Sequence, residues 1–194
     1  LEGNIGLINP QKLEEGEIPK IMEKFRNTDG LIIDLRQYPG YSFYHEISSY
    51  LGDSEKIFVQ VAFPSQSIPG TFVTDSMKRM AESWEYRGEI VVLTNEMSLS
   101  NAEYTVMSLQ NAENVTVMGE ETIGADGNVA RLPLPGNIEL LFTSLGVYTP
   151  EMGQTQRVGL TPDIEVHPTI EGIKEGRDEL MEAAVAYIRE QNGK

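Results

Sequence analysis

Val91-Val92-Leu93-Thr94-Asn95-Glu96-Met97-Ser98-Leu99-Ser100-Asn101-Ala102-Glu103 joins three kinds of sequence end to end. Residues 90–94 form an unbroken apolar run rich in β-branched side chains, the pattern of a strand covered on both faces. Residues 95–99 are mostly polar and turn-forming. A helix is expected over 100–111, with Val106 and Leu109 among its apolar positions, and a further apolar strand over 115–118. Strand, helix, strand in that order is a βαβ unit, and such units build parallel sheets.

The N-terminal side repeats this grammar. Ile5-Gly6-Leu7-Ile8 reads as a strand closed by Asn9-Pro10. Ile18, Ile21, Met22 and Phe25 follow at helical spacing until Asp29-Gly30. Leu31-Ile32-Ile33-Asp34-Leu35 is another strand of the buried type. Between the two units a helix over 44–51, a strand over 57–63, a loop over 64–70 and a helical segment over 75–86 are expected. Beyond them, strands over 129–134 and 138–144 flank Pro135-Gly136, a hairpin signal. Pro162-Asp163 leads into a short strand at 164–166. A last helix over 178–191 carries Leu180, Ala184, Tyr187 and Ile188 as one apolar stripe. The expectation is one α/β domain over 1–194, read as a piece of a longer protein lacking its N-terminal region.

Composition narrows the function classes. Fifteen Lys and Arg against 30 Asp and Glu give a net charge of −15, which argues against a nucleic-acid surface. The absence of cysteine excludes disulfides, thiolate metal sites and a cysteine nucleophile. No apolar run approaches the roughly 18 residues of a membrane helix. No His and carboxylate set has metal-ligand spacing, and the Gly124–Gly127 turn does not follow the dinucleotide fingerprint, so no cofactor is expected. Asn114-Val115-Thr116 matches a glycosylation sequon but falls in an expected strand. Met77, Met80 and Met97 read as core or pocket filler.

A serine where a buried strand gives way to a helix has two advantages for acyl transfer. Its hydroxyl is held at a fixed junction, and the free amides of the first helical turn point where an oxyanion would develop. The same residues also spell a capping box, Ser100-Asn101-Ala102-Glu103, which is the commoner meaning of this spacing. Ser98 is a second candidate hydroxyl that spacing does not separate from Ser100.

Taken together, several segments resemble the tail-specific, or C-terminal processing, serine peptidases, a family related to the tricorn core and retinoid-binding protein modules. They are Gly30-Leu31-Ile32-Ile33-Asp34-Leu35-Arg36-Gln37-Tyr38-Pro39-Gly40, the Ser100-x-x-Glu103 helix, Gly119-Glu120-Glu121-Thr122-Ile123-Gly124, Gly159-Leu160-Thr161-Pro162-Asp163-Ile164-Glu165-Val166, and Gly176-Arg177-Asp178-Glu179-Leu180. The resemblance implies a crotonase-like core of repeated βαβ units with an added hairpin and a C-terminal helix. It implies Ser100 as nucleophile, the amides of Gly40 and Asn101 as oxyanion hole, an unfolded polypeptide as substrate, and a periplasmic or cell-envelope location. Oligomeric state stays open.

The departures concern the base, which an unactivated serine needs. Ala125 stands where the bacterial processing peptidases carry a lysine. The tricorn-like branch uses an early histidine, and the matching residues 5–10 have none. Tyr38 and Tyr41 replace the asparagine and second glycine of the turn. His45 is the first candidate base, His167 the second. Asp126 and Glu103 are nearer the motif, Asp126 as a polar turn residue and Glu103 as the cap partner. Gln154, Gln156 and Arg157 lie where the tricorn-like branch places an orienting glutamate. Two functions therefore compete: a serine endopeptidase with an unidentified base, and an inactive relative that binds a peptide or apolar ligand in the same cleft.

Overall fold

The structure is a computed structural model and describes residues 1–52, 55–81 and 84–193. Its centre is a five-stranded sheet in the order β1-β2-β5-β6-β10, all parallel. The strands are β1 (Ile5–Ile8), β2 (Gly30–Asp34), β5 (Glu89–Thr94), β6 (Val115–Gly119) and β10 (Ile164–Glu165). Helix α1 (Ile18–Phe25) crosses from β1 to β2, and α3 (Asn101–Leu109) from β5 to β6. The two βαβ units expected from sequence are both present.

The apolar runs of the central strands are continuous because each strand supplies two cores. Leu31, Ile33, Ile90, Val92, Val115 and Val117 pack on the side of α1, α3 and α2 (Tyr44–Ser48). Ile32, Val91, Leu93 and Met118 face the other way, onto Leu180, Ala184 and Ile188 of α5 (Glu179–Asn192). Alternate residues of one strand point to opposite faces, so a strand filling both layers must be apolar throughout. Every residue of α3 is buried, which explains why its sequence shows no polar face.

A smaller sheet, β4-β3-β9, covers the end of α3. Its strands are β3 (Ile57–Pro64), β4 (Phe72–Lys78) and β9 (Gly146–Tyr148). The expected helix over 75–86 is corrected here. Phe72-Val73-Thr74 is β-prone sequence, and the loop at 64–70 is the turn of a β3–β4 hairpin that continues to Lys78. Residues 82 and 83 of that expected helix lie outside the described residues. Met80 and Met97 are largely exposed rather than filler, whereas Met77 packs against the main core. The expectation also lacked β9 and the short helix α4 (Ile170–Glu175). The expected hairpin is β7 (Val129–Leu134) with β8 (Ile138–Thr143), a separate two-stranded sheet.

Arg36 fastens the two ends of this framework. Its guanidinium donates to Asp34 Oδ1 and Oδ2 at 2.8 Å and to Asp178 at 2.7 and 2.8 Å. Asp178 is also the N-cap of α5, accepting from the Met181 amide at 3.1 Å. The carboxylates hold Arg36 firmly charged, and Arg36 in turn keeps Asp178 below the usual carboxylate range. The Asp-Leu-Arg and Gly-Arg-Asp segments, far apart in sequence, are thus two halves of one ion-pair junction.

Candidate active site

The loop after β5 settles which serine is available. Ser98 is buried; its hydroxyl donates to the Leu35 carbonyl at 2.9 Å and accepts from the Asn95 amide at 3.0 Å. Both of its roles are structural. Ser100 instead lines a cleft of about 570 Å³ with Asn101, Tyr38, Tyr44, Tyr104 and Gly127. It sits at φ 51° and ψ −107°, a conformation that a non-glycine residue adopts only when its surroundings impose it. A strained serine at a strand-to-helix turn is the geometry that presents a nucleophile outward.

Glu103 imposes that conformation. It is fully buried in the first turn of α3. Its Oε2 accepts from the Ser100 amide at 2.9 Å and the Ala125 amide at 3.0 Å. Its Oε1 accepts from Thr122 Oγ1 at 2.7 Å and the Gly124 amide at 2.8 Å. The cap reading of the motif therefore holds for Glu103, which reaches back as a capping box requires. The Ser100 side chain faces the N3 amide in that arrangement without making a full cap hydrogen bond. With its oxygens engaged by these donors, Glu103 serves as a strut.

The strut also places residue 125. The Ser100 and Ala125 amides share one carboxylate oxygen at 2.9 and 3.0 Å, so their nitrogens lie within about 6 Å of each other. The turn that carries Ala125 is thus fixed beside the serine. Gly124 makes this approach possible. At φ 71° its Cα faces the backbone nitrogens of residues 157–159, which a Cβ would meet at 2.7 to 2.9 Å.

The expected oxyanion donors are placed differently. Asn101 opens α3, and its N–H is a first-turn amide without an intrahelical acceptor. Its side chain anchors the opposite wall, Nδ2 donating to the Tyr41 carbonyl at 2.7 Å. Gly40 N–H is engaged, donating to the Pro10 carbonyl at 2.9 Å. Gly40 also packs so closely on Gln11 and Leu13 that a Cβ would stand 2.8 to 2.9 Å from their carbonyl oxygens.

Neither histidine is hydrogen-bonded to Ser100. His45, on α2, packs its ring 4.5 Å from that of Tyr44 and 5.8 Å from that of Phe58, and burial pushes its pKa down. His167 is exposed between Glu120 Oε1 at 2.7 Å and Glu165 Oε1 at 2.8 Å, and these carboxylates raise its pKa. Gln154 donates to the Gln156 carbonyl, and Gln156 donates to the carbonyls of Asp126 and Leu145, so both are committed to loop structure. Arg157 donates its backbone N–H to the Gly124 carbonyl at 2.7 Å, a bond that fixes the turn.

Asp126 is the titratable group that sequence undervalued. It is buried, its Oδ2 lies 2.7 Å from Thr155 Oγ1, and its Oδ1 has no partner. Burial, with the nearby Glu103 charge adding to it, pushes its pKa up to about 6. The Thr155 hydroxyl also lies 2.9 Å from the Val147 carbonyl. One hydroxyl proton faces two acceptors.

The family's sequence profile, peptidase family S41, matches residues 4–166. The chain belongs to peptidase family S41. Among relatives, the carboxy-terminal-processing protease of Bartonella bacilliformis is 27% identical over 192 residues, covering 92% of this chain and 42% of that protein. A candidate peptidase from Parabacteroides merdae superposes with a TM-score of 0.83 at 23% identity, over 97% of this chain and 62% of that one. The photosystem II D1 C-terminal processing protease superposes with a TM-score of 0.64 at 18% identity, over 86% and 43%. The chain therefore spans about half the length of these proteins. The segments quoted for the resemblance are those that the fold brings together. The Asp34–Arg36 turn meets Asp178. Thr122 of the Gly119–Gly124 segment meets Glu103 and accepts from the Leu160 amide at 2.8 Å. Asp163 accepts from the Val117 amide at 2.8 Å.

Proposed function

We propose that this chain is the serine-bearing core of an S41 endopeptidase that cleaves polypeptide outside the cytoplasm. The parallel sheet with α3 is read as a crotonase-like core. Ser100 Oγ attacks the scissile carbonyl, and the Asn101 N–H receives the developing oxyanion. Gly40 joins as second donor once its N–H leaves the Pro10 carbonyl. The observation that carries this reading is the contrast at the head of α3: Ser98 is locked inside, while Ser100 is held strained on the cleft wall.

The base is assigned to a group outside these 194 residues. Ala125 occupies the position beside Ser100 and accepts no proton. The phenols of Tyr44 and Tyr104 on the cleft are pushed up by burial, so they remain donors near neutral pH. A fluorophosphonate probe tests the assignment. Full-length protein is expected to be labelled at Ser100, the 194-residue chain at least about tenfold more slowly, and Ser100→Ala not at all. In the short chain, Ala125→Lys is expected to accelerate labelling by supplying an acceptor at the strut. Folded full-length protein that leaves Ser100 unmodified would overturn the peptidase reading.

The second reading, a non-catalytic binding module, is favoured by the alanine beside Ser100. It requires full-length Ser100→Ala to bind peptide as tightly as the parent, with no turnover lost. Turnover that disappears in that variant excludes it.

A further inference from the structure

The β7–β8 hairpin has an unusual division of its side chains. The register pairs Ala130 with Phe142, Leu132 with Leu140 and Leu134 with Ile138, so these six residues share one face. That face carries no polar side chain. The opposite face holds Arg131 and Glu139, joined by an ion pair at 2.6 Å. Yet the apolar face is uncovered. Phe142 is 50% exposed, Leu140 49%, Leu132 46%, Leu134 41% and Ile138 60%. Neither strand is bonded to any strand but the other among the described residues. A lone two-stranded hairpin is marginal in water, and a contiguous apolar face of this kind marks a contact surface.

We propose that this face pairs with the same face of a second copy of the chain. The chain carries a net charge of −15, but the face itself bears no charge, so its partner must offer an uncharged apolar surface of similar shape. A second copy supplies one, in the self-complementary arrangement of a two-fold dimer. Pro133 has no N–H and blunts the β7 edge against strand addition, leaving the face as the surface on offer. Two hairpins stacked face to face make a small four-stranded sandwich. With about half of five large side chains exposed, each copy contributes roughly 500 Å². The pair then buries roughly 1,000 Å², the lower limit for a specific interface. The dimer is therefore weak, and it tightens with added salt as the repulsion between two acidic bodies is screened.

Sedimentation velocity of the 194-residue chain over a concentration series tests this. A monomer–dimer equilibrium is expected, shifted toward dimer by salt. Leu140→Asp is expected to weaken it at least about tenfold. Leu141→Asp, on the opposite face, is expected to leave it unchanged, with circular dichroism showing both variants folded. Because the chain has no cysteine, Leu140→Cys adds a second readout: oxidation should yield a disulfide-linked dimer, and Leu141→Cys should not. A chain monomeric at every soluble concentration, or a dimer indifferent to Leu140→Asp, overturns the proposal. Fluorophosphonate labelling of Ser100 is independent of it and tests only the peptidase reading.

Discussion

Two carboxylates lie buried on either side of the turn beside Ser100, and the molecule treats them oppositely. Glu103, at the mouth of α3, is surrounded by donors: the amides of Ser100, Gly124 and Ala125 and the Thr122 hydroxyl. Asp126, past the turn, has one hydroxyl and an unpartnered oxygen. The first carboxylate meets four donors, and the second is buried with one. Burial alone therefore does not set the role of a carboxylate; the number of donors aimed at it does.

Removing the strut should have the largest effect. Glu103→Ala strands three backbone amides and a hydroxyl in the interior, and is expected to cost about 3–5 kcal/mol in chemical denaturation. If Ser100 labelling in full-length protein survived that change at the parent rate, the strut would not be what presents the serine. Gly124→Ala attacks the same web through the backbone, since its φ of 71° and the facing nitrogens leave no space. A loss of about 2–3 kcal/mol is expected from strain and displaced amides.

On the other side of the turn the sign reverses. The folded pKa of Asp126, about 6, lies above its ordinary 3.8. Between those values the folded chain holds a proton that the unfolded chain has released. This contribution to stability is therefore greatest toward pH 4 and is lost as pH rises through 6. Asp126→Asn keeps the shape without the charge. It is expected to raise stability at pH 7 by about 1–2 kcal/mol and to flatten that part of the pH profile, both read from melts across pH. Thr155→Val is the finer probe. It removes the side-chain hydrogen bond that lowers the Asp126 pKa, so the midpoint should move further up, at a cost of about 1 kcal/mol. A midpoint that moved down would mean that Thr155 accepts from a protonated Asp126 instead of donating to its carboxylate.

The contrast also explains what was legible in advance. Glu103 stood three residues after a serine at the start of a helix, and that spacing reports a local hydrogen bond. Asp126 sat in a glycine-rich turn, where a solvated carboxylate and a buried one read alike. Its environment comes from Thr155 and Val147, which arrive from a distant part of the chain. The helix expected over 75–86 fails for the same reason: β4 forms as the partner of β3, and that pairing leaves no mark within the segment itself.

The sequence by itself determined the two βαβ units, the hairpin, the final helix and the serine-to-helix junction, because these depend on periodicity and neighbours a few residues apart. It also supplied the family segments and their order. Only the tertiary structure buried the Ser98 hydroxyl, tied residue 125 to the serine through Glu103, engaged the Gly40 amide with Pro10 and left one face of the β7–β8 hairpin uncovered. Each of those outcomes depends on which distant groups are packed within hydrogen-bond or van der Waals reach, and a linear pattern carries no record of that.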